Sequence, residues 1–182
     1  MPANNRRKEF TARYLVESSV PSEQVAEIIA GEQSSGTFLS LPGETDELKA
    51  RSRARVTRIH MLDAVSMPTL PSAQVTRHPH DGVFYRAEID IAFPVDNVGP
   101  NLSSLLATVA GNLFELGEVT GLRLLDIDLS SDYVAQFSGP AFGVPGTRQL
   151  SGVHDRPLIG TIIKPSIGLT VAQTAELVDR LC

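Results

Sequence analysis

The chain has 182 residues, 42% of them hydrophobic and 20% charged, with 16 basic against 21 acidic side chains and a net charge of -5. It lacks the basic excess of a nucleic-acid or membrane-surface binder, and no run of about 18 apolar residues offers a transmembrane helix. Its single cysteine, Cys182, excludes a disulfide framework; together with a polar N-terminus unlike a signal peptide, this makes a cytoplasmic location the expectation.

The first strand is expected in EFTARYLVES, where Phe10, Ala12, Tyr14 and Val16 share one face. A helix follows from about Ser22, entered through Pro21 and carrying Val25, Ile28 and Ile29. The polar, glycine-bearing segment from Gly31 to Ser52 reads as a long loop, and loops of that length tend to be functional or disordered. Arg55 to Val65 reads as a second strand. After the turn HPHDG a third strand alternates clearly, with Tyr85, Ala87, Ile89, Ile91 and Phe93 opposite Arg86, Glu88 and Asp90. A second helix is expected from about Asn101 to Leu116, with a stripe of Leu102, Leu105, Leu106, Val109 and Leu113. GLRLLDIDLS supplies a fourth strand, with Leu125, Ile127 and Leu129 on one face. The order β-α-β-β-α-β is the ferredoxin-like arrangement, an antiparallel sheet with both helices on one side.

Past Ser131 the pattern changes. SSDYVAQF reads as a short helix and SGPAFGVPGTRQLSGVHDRP as a Gly/Pro-rich connector. PLIGTIIK has the apolar continuity of a strand buried on both faces. Thr170 and Gln173 form a capping-box signature for a helix with Val171, Leu177, Val178 and Leu181. A lone β-α unit cannot bury its own faces, because a parallel strand needs parallel neighbours. The expected division is therefore a ferredoxin-like domain over 1–138, a connector over 139–156, and over 157–182 the first unit of a domain whose remainder is missing. No metal or phosphate-loop motif stands out, and His60, His78, His80 and His154 are scattered.

Lys164 stands at the end of that last apolar run. Pro165 disfavours helical geometry there, and Gly168 allows the turn into the helix. At the C-terminal end of a barrel strand a lysine serves as phosphate clamp, Schiff-base nucleophile or, with a lowered pKa, general base; the plainer alternative is a lysine snorkelling from a strand end.

GTIIKPSIGLT resembles the RuBisCO large-subunit superfamily segment Gly-x-x-x-Lys-Pro-Lys-x-Gly-Leu. AGEQSSGTF is similar to the family's Glu-Ser-Ser-Thr-Gly-Thr-Trp loop, AGNLFEL to its Gly-Asn-Val-Phe-Gly helix segment, and LRLLDIDLSSDYVAQFSGPAFGV to its Leu-Arg-Leu-Glu-Asp-x-Arg-x-Pro connector. The resemblance runs in order through nearly the whole chain. It implies a ferredoxin-like N-terminal domain followed by a TIM barrel, of which 157–182 would be the first β-α unit. It also implies roles: Lys164 as the enolising base, Glu32 as the loop glutamate that reaches the reaction centre of the partner subunit, Thr37 as a phosphate ligand, and Asn112 as an amide near the reacting carbons and metal. Beside these stand plain readings of an exposed loop glutamate, a turn hydroxyl and a capping amide.

The departures are Phe38 for tryptophan, Ser166 for the second lysine of Lys-Pro-Lys, and Ile162 for a threonine. Loss of the neighbouring cation removes a charge that depresses a lysine pKa and stabilises an enediolate or bound CO2. These departures resemble those of RuBisCO-like proteins, which keep enolate chemistry without fixing CO2. The expectation is a decarboxylase, isomerase or enolase acting on a phosphorylated keto-sugar or sugar acid. Mg2+ is the implied cofactor, with its ligands in the missing barrel, and a homodimer or higher oligomer of dimers is implied. The alternatives are a true ribulose-bisphosphate carboxylase and, if the chain ends at residue 182, a non-catalytic assembly module. These residues alone are expected to be inactive.

Overall fold

The computed structural model describes residues 8–35, 45–160 and 168–181. The chain divides into two compact units, Met1–Phe137 and Ser138–Cys182.

In the first unit, β1 (Glu9–Ser18), β2 (Arg55–Val65), β3 (Phe84–Pro94) and β4 (Val119–Asp128) form one sheet in the order β2-β3-β1-β4. Every neighbouring pair is antiparallel. With α1 (Ser22–Glu32) between β1 and β2 and α3 (Leu102–Ala110) between β3 and β4, this is the expected ferredoxin-like order. The alternation of β1 and β3 explains the core: Phe10 pairs with Phe93, Ala12 with Ile91, Tyr14 with Ile89 and Val16 with Ala87, and all eight are buried. The Phe10 and Phe93 rings stack with centroids 5.4 Å apart. Val25 and Ile29 of α1, Leu105 and Val109 of α3, and Leu113 close this core from the helix side. The opposite face is charged. There Arg13 and Arg58 bracket Asp90, the one charged member of β3's outward row that is buried.

In the first unit four expectations change. The helix expected from Asn101 to Leu116 ends at Ala110, and a 3-10 turn, Asn112–Glu115, follows. Gly111 makes the break: a Cβ there would lie 2.3 Å from the Ala107 carbonyl oxygen, closer than side chains tolerate. Leu102 and Leu106 of the expected stripe are exposed, while Leu105, Val109 and Leu113 are buried. In β4 the ladder skips Leu125, since Arg13 pairs with Asp126 and Tyr14 with Leu124. This bulge turns Leu125 outward, and the core-packing set becomes Leu122, Leu124, Ile127 and Leu129. The segment read as a loop up to Ser52 contains α2 (Asp46–Ser52), whose start is capped by the Thr45 hydroxyl accepting from Leu48 N–H.

The expected short helix is α4 (Ser131–Val134). Its Tyr133 is buried, donates to Gly99 O at 2.9 Å and packs edge-on against Phe137, so the first unit holds the chain up to that point. In the second unit, the segment expected as a connector folds into α5 (Gly143–Ser151), ended by Gly152 in the left-handed region at φ 67°. Pro157–Gly160 form no strand, and the rest of PLIGTIIK lies outside the described residues. The final helix is α6 (Val171–Leu181). The expected capping box is formed: Gln173 N–H donates to the Thr170 hydroxyl oxygen, and Gln173 Oε1 accepts from Thr170 N–H at 2.9 Å.

Candidate functional site

Glu32 is the last residue of α1 and is exposed. The helix amphipathy explains its direction, since Val25, Ala26, Ile29 and Ala30 take the buried side. Two residues later the chain is tied down by Ser34, whose Oγ–H donates to Ala30 O at 2.6 Å. The same oxygen accepts from Ala54 N–H at 2.9 Å, just before β2 begins. Glu32 therefore stands at the end of the sheet where β2 starts.

Asn112 follows the Gly111 break as the first residue of the 3-10 turn, rather than lying on the stripe of a continuous helix, and it is exposed. The turn is anchored by buried Leu113 and packs against α1 and β4. Just upstream, the Tyr14 hydroxyl donates to Val109 O at 2.8 Å, satisfying a terminal carbonyl of α3 from the middle of the sheet. Burial raises the Tyr14 pKa above that of free tyrosine, so it remains a neutral donor. Glu32 thus stands beside the start of β2, and Asn112 lies in the turn between α3 and β4, both on the helix side of the sheet. Among the described residues neither side chain takes a hydrogen-bond partner, which leaves a carboxylate and an amide open to an external group. Thr37, Phe38, Ile162, Lys164 and Ser166 lie outside the described residues.

Two ionic groups that the sequence pattern did not single out are built into the sheet. Asp90 accepts from Arg13 Nε and Arg58 Nε, each at 2.8 Å. Burial pushes its pKa up, but the bonds from Arg58 and Arg13 outweigh it and hold the carboxyl below its ordinary value. Glu17 is fully buried, and its carboxylate accepts from Thr69 N–H at 2.8 Å and Thr69 Oγ–H at 2.9 Å. It fixes the chain after β2 over the sheet edge, where Leu70 meets Gly121; a Cβ there would lie 2.8 Å from the Leu70 side chain. Both groups are saturated by protein donors and therefore structural. Among the described residues no group of three or more His, Cys, Asp or Glu could hold a metal, so the Mg2+ expected from the resemblance finds no ligand set here. No described helix is long and apolar enough to cross a membrane.

The family model of the ribulose bisphosphate carboxylase large chain, N-terminal domain, matches residues 4–133. The 3-oxo-isoapionate-4-phosphate transcarboxylase/hydrolase of Xanthobacter autotrophicus is 50% identical over 170 residues, 93% of this chain and 40% of its own. The 3-oxo-isoapionate-4-phosphate decarboxylase of Rhizobium rhizogenes is 43% identical over 172 residues, 94% of this chain and 40% of its own. The crystal structure of a rubisco-like protein from Burkholderia fungorum matches with a TM-score of 0.72 at 48% identity, covering 96% of this chain and 40% of that one. The chain thus spans about 40% of the length of the curated relatives it matches. It belongs to the RuBisCO large-chain superfamily, carries that family's N-terminal domain over residues 4–133, and is most like the RuBisCO-like proteins.

Proposed function

We propose that the whole protein is a RuBisCO-like enzyme acting on a phosphorylated 3-oxo sugar acid, which loses CO2 to form an enediolate. The observation that carries this reading is the similarity, at 50% and 43% identity, to two enzymes named for 3-oxo-isoapionate 4-phosphate. The chemistry suits a β-oxo acid. When the bond to the carboxylate breaks, its electron pair moves toward the ketone carbon and the negative charge comes to rest on the ketone oxygen. CO2 leaves, and a proton is then delivered to the carbon that carried it.

In this reading Lys164 handles that proton, Glu32 assists it, Thr37 holds the phosphate and Asn112 hydrogen-bonds oxygens on the reacting carbons. A β-oxo acid supplies its own electron sink, so the reaction tolerates Ser166 where a carboxylase has a second lysine. Glu32 and Asn112, exposed and without a side-chain hydrogen bond among the described residues, fit a site completed by another part of the protein, and a homodimer belongs to the same proposal. So does Mg2+, with its ligands outside the described residues.

The test is CO2 release from 3-oxo-isoapionate 4-phosphate by the full-length protein, alongside CO2 fixation on ribulose 1,5-bisphosphate. Release without fixation is expected, falling by about 10²–10⁴-fold in Lys164→Met. Fixation would install the carboxylase instead, as the family model's own name favours; absence of both would sink the CO2-loss reading.

A further inference from the structure

The Ser34 hydroxyl joins two parts of the chain that lie 20 positions apart. It donates to Ala30 O at 2.6 Å and accepts from Ala54 N–H at 2.9 Å, so both its donor and an acceptor lone pair are used. Ala54 is only 1% exposed, so its N–H has no water to take over if the serine oxygen is removed. Two other links start just before Ala54: Arg53 reaches Glu27 of α1 at 2.8 Å, and Asn97 Nδ2 donates to Ser52 O at 2.7 Å. The side chains of both are exposed; the Arg53–Glu27 ion pair holds little on its own, and the Asn97 bond ties α2 to the turn after β3 rather than α1 to β2. Ser34 supplies the sheltered link. Glu32 lies between Ala30 and Ser34, inside the turn that this hydroxyl closes.

We propose that Ser34 is a positioning residue: it clasps the end of α1 to the start of β2 and thereby sets the direction in which the Glu32 carboxylate leaves the helix. A hydroxyl that only capped α1 would need Ala30 alone. The second bond couples the helix end to the sheet, which makes the direction of Glu32 a property of the fold rather than of a fraying terminus. This inference rests on the assignment of Glu32 to the reaction.

The test uses the full-length protein with Ser34→Ala, Ser34→Thr, Glu32→Gln and the Ser34→Ala/Glu32→Gln double variant. Two quantities are read: amide hydrogen exchange at Ala54, and kcat and KM for CO2 release from 3-oxo-isoapionate 4-phosphate. Ser34→Ala is expected to speed Ala54 exchange roughly tenfold or more while the amides of β1 and β3 keep their protection. It is also expected to lower kcat more than it raises KM, and Ser34→Thr, which keeps the hydroxyl, restores both. In the double variant the loss of kcat should not exceed that of Glu32→Gln alone, because the serine acts through the glutamate. Unchanged Ala54 exchange, or losses that multiply in the double variant, would overturn the proposal. If Ser34→Ala does not fold, Ser34→Cys, with its weak donor, takes its place. If the unmodified enzyme releases no CO2, the functional reading fails, and Ala54 exchange alone decides whether the clasp exists.

Discussion

Asp90 accepts a 2.8 Å bond from each of two arginines, Arg13 and Arg58, on the open face of the sheet. Its carboxyl is held below the ordinary value because those bonds outweigh the effect of burial. The unfolded chain therefore takes up the proton first as pH falls. The stability Asp90 contributes is complete above its unfolded pKa, about 3.9, and is lost as pH drops from there through the lower folded value. Urea denaturation between pH 7 and pH 2.5 should show that decline. Asp90→Asn should lower stability at pH 7 by about 1–3 kcal/mol, because the amide keeps only one neutral acceptor oxygen and turns a donor NH2 toward the second guanidinium, and should flatten the acid limb. An acid limb as steep in the variant as in the parent would assign it to other carboxylates. Tyr14 behaves in the opposite sense, since burial raises its pKa. Its contribution is complete below about pH 10 and is lost as pH climbs from there through the higher folded value. Tyr14→Phe should cost about 1–2 kcal/mol, leaving Val109 O without its donor.

Gly111 and Leu125 each redirect an element at a point where the sequence pattern continues smoothly. A Cβ at Gly111 would meet the Ala107 carbonyl oxygen at 2.3 Å, so Gly111→Ala must shift the turn that presents Asn112. The expected cost is about 1–3 kcal/mol, read as a lower Tm, with displaced Asn112 amide resonances; a variant with unchanged resonances there would show that the turn does not depend on glycine. At the β4 bulge, Leu125→Gln should change stability by less than about 0.5 kcal/mol, whereas Leu124→Gln should cost about 1–2 kcal/mol. Equal costs would argue against the bulge. β1, β3 and α1 were legible because each carries its own period in one short window, and β2 and β4 as short strand-like runs between turns. The bulge and the helix break were not, because they depend on what lies across the ladder or one turn back. α2 and α5 escaped for a different reason: neither carries apolar residues at sustained helical spacing, and α5 opens on Gly143, Pro145 and Gly146, which read as connector. Glu32 and Asn112 were singled out by resemblance to a known pattern, and their place in a site belongs to the proposal above. Ser34 was not, because its second partner, Ala54, is remote in sequence and is defined only once β2 has folded onto α1.

The two units differ in what sustains them. The first has a sheet with a closed apolar core, while between Ser138 and Cys182 no described residue is buried. Phe142 is 80% exposed, Leu150 90% and Ile159 99%. α6 has 11 residues and a formed capping box, yet Val171 in its first turn is 89% exposed. A helix of that length is marginal in water without tertiary packing, and a cap adds only about 0.5–2 kcal/mol. The sequence of the second unit is nonetheless patterned for burial, and the relatives have more than half their length beyond the region matched here. The apolar positions of α5 and α6 are therefore expected to find their partners in that additional length. In a protein of these 182 residues alone, amides of α5 and α6 should exchange at nearly unprotected rates, while those of β1 and β3 exchange at least about 10³-fold more slowly. In the full-length protein, protection of α6 should rise by about 100-fold or more, and only that protein should release CO2 from the substrate proposed above. If α6 in the 182-residue protein were as protected as β1, the second unit would have an order of its own that exposure of this extent does not account for, and the domain boundary would have to be redrawn.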